Sequence, residues 1–283
     1  MRGRVVVVTG ASSGIGAEAA VELARLGATV VPVGRDEKRL TRTAARIREA
    51  NSEGAAEPLQ ADFSSLEEVR RLASEIRARH PRVHVLVNNA GLVAGTRALT
   101  EDGLETTIAV NHLAPFLLTN LLLEVLRASA PARVVTTSSD AHRSGRLDLD
   151  DLRGERQWSA WSAYSRSKLA NVLFTRALAR RLEGTGVTAN CLHPGVIRTR
   201  LARGVALPIR IGWRAVSLAF GSPLRGASTI VYLASSPEVD GVSGGYFVKS
   251  RQATPSRRAM DDELGERLWR VSEELTGIGA GVP

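Results

Sequence analysis

The sequence predicts a doubly wound α/β fold, a seven-stranded parallel sheet with helices on both faces. Three observations carry that expectation. Short β-branched runs alternate with amphipathic, helix-length segments; the first run breaks into a glycine-rich turn before a helix; and no linker, repeat or low-complexity tract divides the 283 residues. Strands buried on both faces read as continuous apolar runs, joined by right-handed crossovers.

The first run, Val5–Thr9, ends at Gly10 and reads as a buried strand. Residues 14–26 follow with helical spacing (Ile15, Ala19, Ala20, Leu23, Leu26) and stop at Gly27. Ala28–Val33 is the second strand. Its Pro32 gives no donor to a ladder, so the strand is expected to end early. Asp36 is the expected cap of a helix reaching Ala50. Further strands are expected at Pro58–Ala61, Val83–Val87, Arg133–Thr137, Val187–Leu192 and Tyr246–Val248. Helices fall near 65–79, 101–127, 161–183, 223–235 and 261–275. The acidic run Asp148-Leu149-Asp150-Asp151 reads as a solvated loop. The whole chain, 1–283, is read as one domain.

Composition excludes several function classes. The net charge of +9 raises the question of nucleic acid, but the basic residues are scattered, without a block of five or aromatic interleaving. All but three of the 38 basic residues are arginine (the lysines are Lys38, Lys168 and Lys249), which reads as coding bias rather than a binding stripe. The five histidines show no metal-ligand spacing, so no metal site is expected. Cys191 is the single cysteine, which excludes an internal disulfide and suits a reducing, cytoplasmic setting. The opening MRGRVVVVTG is too short an apolar run for a signal core or membrane span, so no transmembrane anchor is expected.

Between first strand and first helix lies TGASSGIG, with Gly10, Gly14 and Gly16. Glycine lets backbone approach a pyrophosphate, and a helix start offers free N–H groups and a positive dipole end. Gly10, Ser12, Ser13, Gly14, Ile15 and Gly16 are therefore candidate nucleotide-binding residues. At the end of the second strand, where an acidic residue would accept both ribose hydroxyls, the chain reads Val33-Gly34-Arg35-Asp36. Arg35 is suited to a 2′-phosphate, so NADP(H) is expected over NAD(H).

Tyr164 and Lys168 stand four residues apart on a helical pattern, which puts them on one face. A phenolate base at neutral pH needs a pKa drop of about 3 units, roughly 4 kcal/mol. An ammonium about 4 Å away at an effective dielectric near 20 supplies about that much. Lys168 is thus expected to make Tyr164 acidic enough to act as a general acid/base. Ser139 ends the fifth strand, where ligands meet such sheets, and is suited to hydrogen bonding the reacting oxygen. Asn111 falls inside a helix, an otherwise unfavourable place for asparagine unless its amide is satisfied in the core.

Taken in order, TGASSGIG, NNAG (88–91), Asn111, TSS ending at Ser139 and Tyr164-x-x-x-Lys168 resemble the short-chain dehydrogenase/reductases over nearly the whole chain. NHLAPF (111–116), SKLANVLFTRALARRL (167–182), HPGVIRT (193–199) and ERLWRVSEELTG (266–277) are similar to the retinol dehydrogenase-like branch. Membrane-bound members carry an N-terminal anchor that is not seen here. The resemblance implies a Rossmann-type fold and an oxidoreductase exchanging hydride between NADP and an alcohol or carbonyl. A catalytically silent nucleotide-binding regulator on the same fold is the alternative. The resemblance implies that Asn111, Ser139, Tyr164 and Lys168 form the catalytic set, Asn111 through a water and Lys168 also through the nicotinamide ribose. Asp62 and Phe63 are matched to the adenine contact, although Asp62 is also placed to cap the helix after it. Asn89, Ala90 and Gly91 are matched to the adenine ribose, and Pro194, Gly195, Val196 and Thr199 to the carboxamide. Residues 200–222 correspond to a substrate lid whose apolar residues suit a lipophilic substrate, and 250–283 to a C-terminal extension. A homodimer or homotetramer through the 161–183 helix is expected.

Overall fold

Val5–Thr9 (β1) shows how the sequence builds the sheet: Val7 packs into the core on one face, Val6 and Val8 into the core on the other. The structure, a computed structural model, describes residues 1–51, 57–195 and 222–278. The remaining strands are β2 (Thr29–Gly34), β3 (Leu59–Gln60), β4 (Val85–Asn88), β5 (Ala132–Thr137), β6 (Val187–His193), β7 (Tyr246–Val248) and β8 (Arg251–Ala253). Their order is β3-β2-β1-β4-β5-β6-β7-β8. The strands β1 to β7 run parallel as expected, and an eighth pairs antiparallel on β7. Lys249 and Ser250, both at positive φ (51° and 58°), make the two-residue hairpin that adds it. A Lys-Ser turn lacks the Asn-Gly signature, and three residues are too few to show a period.

The helices are α1 (Gly14–Arg25), α2 (Glu37–Ala50), α3 (Leu66–Arg79), α4 (Thr106–Ile108), α5 (Ala114–Leu121), α6 (Leu123–Ala128), α7 (Ala160–Arg181), α8 (Pro223–Ser235) and α9 (Asp262–Thr276). One core lies between the sheet and α1, α2 and α8; the other lies under α3, α5, α7 and α9. Asp36 caps α2, its Oδ1 accepting from Arg39 N–H at 3.1 Å.

Three expectations are corrected. First, β2 does not end at Pro32 but continues to Gly34. Backbone direction alternates, and Gly34 accepts from Ala61 on the β3 side, so the Pro32 nitrogen faces that side too. Pairing there starts only at Val33 with Leu59, so the missing donor falls just before the ladder begins. Second, the helix expected over 101–127 starts at Thr106, capped by Glu105, and its next turn, Ala109–Leu113, is a wide π turn. Pro115 has no N–H for the Asn111 carbonyl and presses on it, and a wider turn relieves that clash. Third, the acidic run is not wholly solvated: Asp151 is buried and accepts from Glu155 and Arg156 N–H at 2.7 and 3.3 Å.

Candidate active site

The strand order reverses at β1 and β4, and the crevice between their C-terminal ends is where such sheets bind ligands. A cleft of about 980 Å³ opens there, within the range of cofactor pockets. Gly10, Ser12, Ser13, Gly14, Ile15, Gly16, Arg35, Asp62, Phe63, Asn89, Ala90 and Gly91, all singled out from the sequence, line it. Gly34, Arg39, Arg42, Leu92 and Val93 line it as well.

The glycines of the turn serve different needs. Gly14 sits at φ +62° with open space where a Cβ would stand. Gly16 is there for packing, since a Cβ would lie 2.5 Å from both the Gly10 carbonyl oxygen and Asn89 Nδ2. Ser13 precedes α1 without capping it through its side chain, so the first N–H groups of the helix are not taken up by their own cap residue. Thr9 binds the two strand ends together: its Oγ1 donates to Val87 O at 3.1 Å and accepts from Asn89 and Ala90 N–H at 3.0 Å. Thr9 is not among the site residues expected from the sequence, although a threonine closes the first strand directly ahead of the glycine turn. These residues fit a dinucleotide: a helix start with free donors, a glycine turn without protruding side chains, and arginines at the far wall.

At that wall Arg35 Nη1 lies 3.4 Å from Asp62 Oδ2 and is largely exposed. Asp62 is not the cap of α3, which is Ser65; its Oδ1 accepts from Ser64 N and Oγ at 2.9 and 2.7 Å. Partial burial pushes its pKa up, but these bonds and Arg35 outweigh that and hold it below the ordinary aspartate value.

Gly91 connects the cleft to the second group of residues. A Cβ on it would stand 3.2 Å from Asn111 Oδ1 and 3.6 Å from Lys168 Nζ. Lys168 is buried, and its Nζ donates to the Thr137 carbonyl at 3.0 Å, 5.6 Å from the centre of the Tyr164 ring. Burial lowers the Lys168 pKa to about 8. Tyr164 departs from the sequence expectation: its pKa is raised, because burial outweighs the lowering effect of the Ser139 hydroxyl. The Lys168 ammonium is anchored on the Thr137 carbonyl, and burial decides the direction of the Tyr164 shift, so the phenol stays protonated.

Ser139 follows β5 with its Oγ accepting from Ala141 N–H at 3.2 Å, and it bears on the Tyr164 phenol. The neighbouring Ser138 is committed elsewhere, donating to the Lys168 carbonyl at 2.7 Å. The Asn111 amide is satisfied: Oδ1 accepts from Leu92 N–H at 2.8 Å, while Nδ2 donates to Leu92 O and Ser167 Oγ at 2.9 Å. Asn171, which the sequence reading left out, donates to the same Thr137 carbonyl as Lys168, at 3.2 Å. One turn beyond Lys168 on the same helix face, it was findable by i, i+3 spacing. Asn88 is structural, its Nδ2 donating to Thr119 Oγ1 at 2.9 Å.

Pro194 and Gly195 follow β6, Gly195 at φ +90°. Val196, Thr199 and the lid positions up to 221 lie outside the described residues. A second groove, of about 930 Å³, opens near Arg133 and Val187 at the opposite ends of β5 and β6; none of the predicted residues lines it.

The family profile described as short chain dehydrogenase matches residues 4–207. Human retinol dehydrogenase 14 is 45% identical, the match covering 98% of this chain and 88% of that protein. Mouse polyprenol dehydrogenase is 44% identical over 99% of this chain and 85% of its own length. Among solved structures, a protein from Mycobacterium Paratuberculosis superposes with a TM-score of 0.80 at 39% identity, covering 98% of this chain and 94% of that one. A short chain dehydrogenase from Escherichia coli CFT073, complexed with NADPH, gives 0.70 at 28% identity, with 89% and 98% covered.

Proposed function

The chain belongs to the short chain dehydrogenase family and is an oxidoreductase of alcohol and carbonyl groups, and we propose that it uses NADP(H) on a lipophilic substrate. The observation that carries the reading is the meeting of a glycine-turn cleft with the half-buried Tyr164 and Ser139 and the buried Lys168, joined at Gly91. When bound, the nicotinamide supplies or accepts the hydride. Arg35, Arg39 and Arg42 would hold a 2′-phosphate, Gly10 to Gly16 the pyrophosphate, Asp62 and Phe63 the adenine, and Asn89 to Gly91 its ribose, all of them lining the cleft. Pro194, Gly195, Val196 and Thr199 are assigned to the carboxamide.

The residues divide the proton chemistry. Tyr164, held as a phenol by burial, gives its proton to the carbonyl oxygen as charge develops there, and in the reverse direction the Tyr164 phenolate takes one from an alcohol. Ser139 donates to the same oxygen and fixes its distance from the phenol. Lys168 holds a positive charge beside the ring and stabilises the phenolate once the proton has left. Asn111 keeps Gly91 and Leu92 in place beside Lys168.

A lipophilic substrate is supported by Trp161, 53% exposed with its ring 6.2 Å from that of Tyr164, and by Leu92, Val93 and Ala94 along the cleft. Retinol and polyprenol dehydrogenases among the relatives bear names of apolar alcohols. No described helix is long and apolar enough to cross a membrane, and a cytoplasmic location is part of the proposal. So is a homodimer or homotetramer; α9 already covers part of α7, through Arg176 and Arg180 bonded to Asp262 at 3.0 and 2.6 Å, so copies would meet on what remains.

Cofactor choice is the test. A charge-assisted contact of about 1.5–3 kcal/mol gives roughly a 10- to 150-fold preference. kcat/KM for NADPH is expected to exceed that for NADH by this factor, and the Gly34→Asp, Arg35→Ala variant is expected to lose the difference. A wild type that prefers NADH refutes the assignment.

A further inference from the structure

His142 is buried, and both its ring nitrogens are engaged. Nδ1 lies 2.7 Å from the Ser139 carbonyl oxygen, and Nε2 lies 3.0 Å from Ser256 N–H. A carbonyl only accepts and a backbone N–H only donates, so the two partners dictate the tautomer: Nδ1 carries the hydrogen and Nε2 is bare. The His142 backbone N–H donates to the same carbonyl at 3.1 Å, and its ring packs edge-on against Tyr246 at 4.9 Å. Burial, helped by Arg143, keeps its pKa below the ordinary imidazole value despite the Ser139 carbonyl and Asp140. Protonation would set two N–H groups against each other at Ser256.

Asp140, the next residue after Ser139, is fixed in parallel. Its Oδ1 accepts from Tyr246 Oη at 3.1 Å, and its N–H donates to His193 Nδ1 at 3.3 Å. The peptide that carries the Ser139 hydroxyl is thus held from β6, from β7 and from the segment after β8, none of which contributes a residue to the proposed proton transfer.

We propose that His142 is a positioning residue for Ser139: through Nδ1–H it clamps the Ser139 carbonyl, so the hydroxyl faces the Tyr164 phenol, with Ser256 locking the ring from behind. Ser139 sits in extended conformation (φ −164°, ψ 157°) just beyond the end of β5. A displacement of about 1 Å in a reacting group costs on the order of 10²-fold in rate. The inference rests on the reading of Ser139 and Tyr164 as the reacting pair.

The test uses the full chain with His142→Asn, His142→Gln and His142→Phe. Asparagine places an N–H near Nδ1; glutamine places its polar end near Nε2. His142→Asn is expected to keep kcat within about 3-fold, while His142→Gln and His142→Phe lose on the order of 10- to 100-fold with KM for NADPH unchanged. All rates are taken below the lowest unfolding midpoint. Rescue by glutamine instead of asparagine, a wild-type kcat in His142→Phe, or losses that follow the melting temperatures would overturn the proposal. Nitrogen-15 NMR of the wild-type imidazoles gives a readout without turnover. The Nδ1–H tautomer is expected for His142, and the Nε2–H tautomer refutes the clamp whether or not the enzyme reduces any carbonyl tried.

Discussion

Burial raises the Tyr164 pKa and lowers that of Lys168, so one side chain is held as a phenol while its neighbour is drawn towards neutrality. The difference has consequences for single residues. Tyr164→Phe keeps the ring and removes the transferable proton, so turnover is expected to vanish while NADPH binding, followed by fluorescence titration, persists. A variant retaining more than a few per cent of activity would show that another group moves the proton. Lys168 predicts a pH dependence of stability. Its pKa falls from 10.5 to about 8 on burial, so the folded state bears a cost of about 3 kcal/mol wherever the lysine is charged in both states. That cost is complete below about pH 8 and disappears as pH rises to 10.5. Lys168→Met is therefore expected to abolish activity and yet raise stability at pH 7 by about 1–3 kcal/mol in urea titrations. The gain should shrink to nothing by pH 10.5; a variant less stable at every pH contradicts the electrostatic account.

At the scale of elements, α1, α2, α3 and α7 were readable from apolar spacing, and α2 also from its cap Asp36, whose side chain accepts from Arg39 N–H, whereas the cap of α3 is Ser65, accepting from Glu68 N–H, and not the Asp62 that the sequence offered. The break-up of the 101–127 segment was not, since Pro115 signals strain but not the turn that absorbs it. Nor did periodicity show what α9 packs on. Trp269 stacks on Phe174 at 5.8 Å, meets Phe116 edge-on at 4.9 Å and carries the Arg181 guanidinium 4.0 Å above its ring. Less than one turn further along α9, Ser272 Oγ lies 2.9 Å from His112 Nε2, next to Asn111. Trp269→Ala is expected to cost about 3–5 kcal/mol, read as a lower urea midpoint. Little change in the midpoint would mean that α9 is an ornament on the core rather than a part of it.

For the whole molecule, the fold was legible because alternating strand and helix periods leave few topologies once crossovers must be right-handed. The cleft was legible because strand ends at the reversal of order must meet there, and the glycine turn marked one of them. What composition could not convey is how the C-terminal third closes on the site, since Tyr246, His193 and Ser256 reach Asp140 and His142 only across the sheet. The account as a whole claims reduction of a lipophilic carbonyl by NADPH, and a silent nucleotide-binding protein on the same scaffold is what it must be distinguished from. The most direct measurement is NADPH consumption, as kcat/KM, with a long-chain or aromatic aldehyde against a short polar one. The account predicts turnover with both and a clear preference for the apolar compound; binding of NADPH without consumption, or a preference for the polar aldehyde, would contradict it.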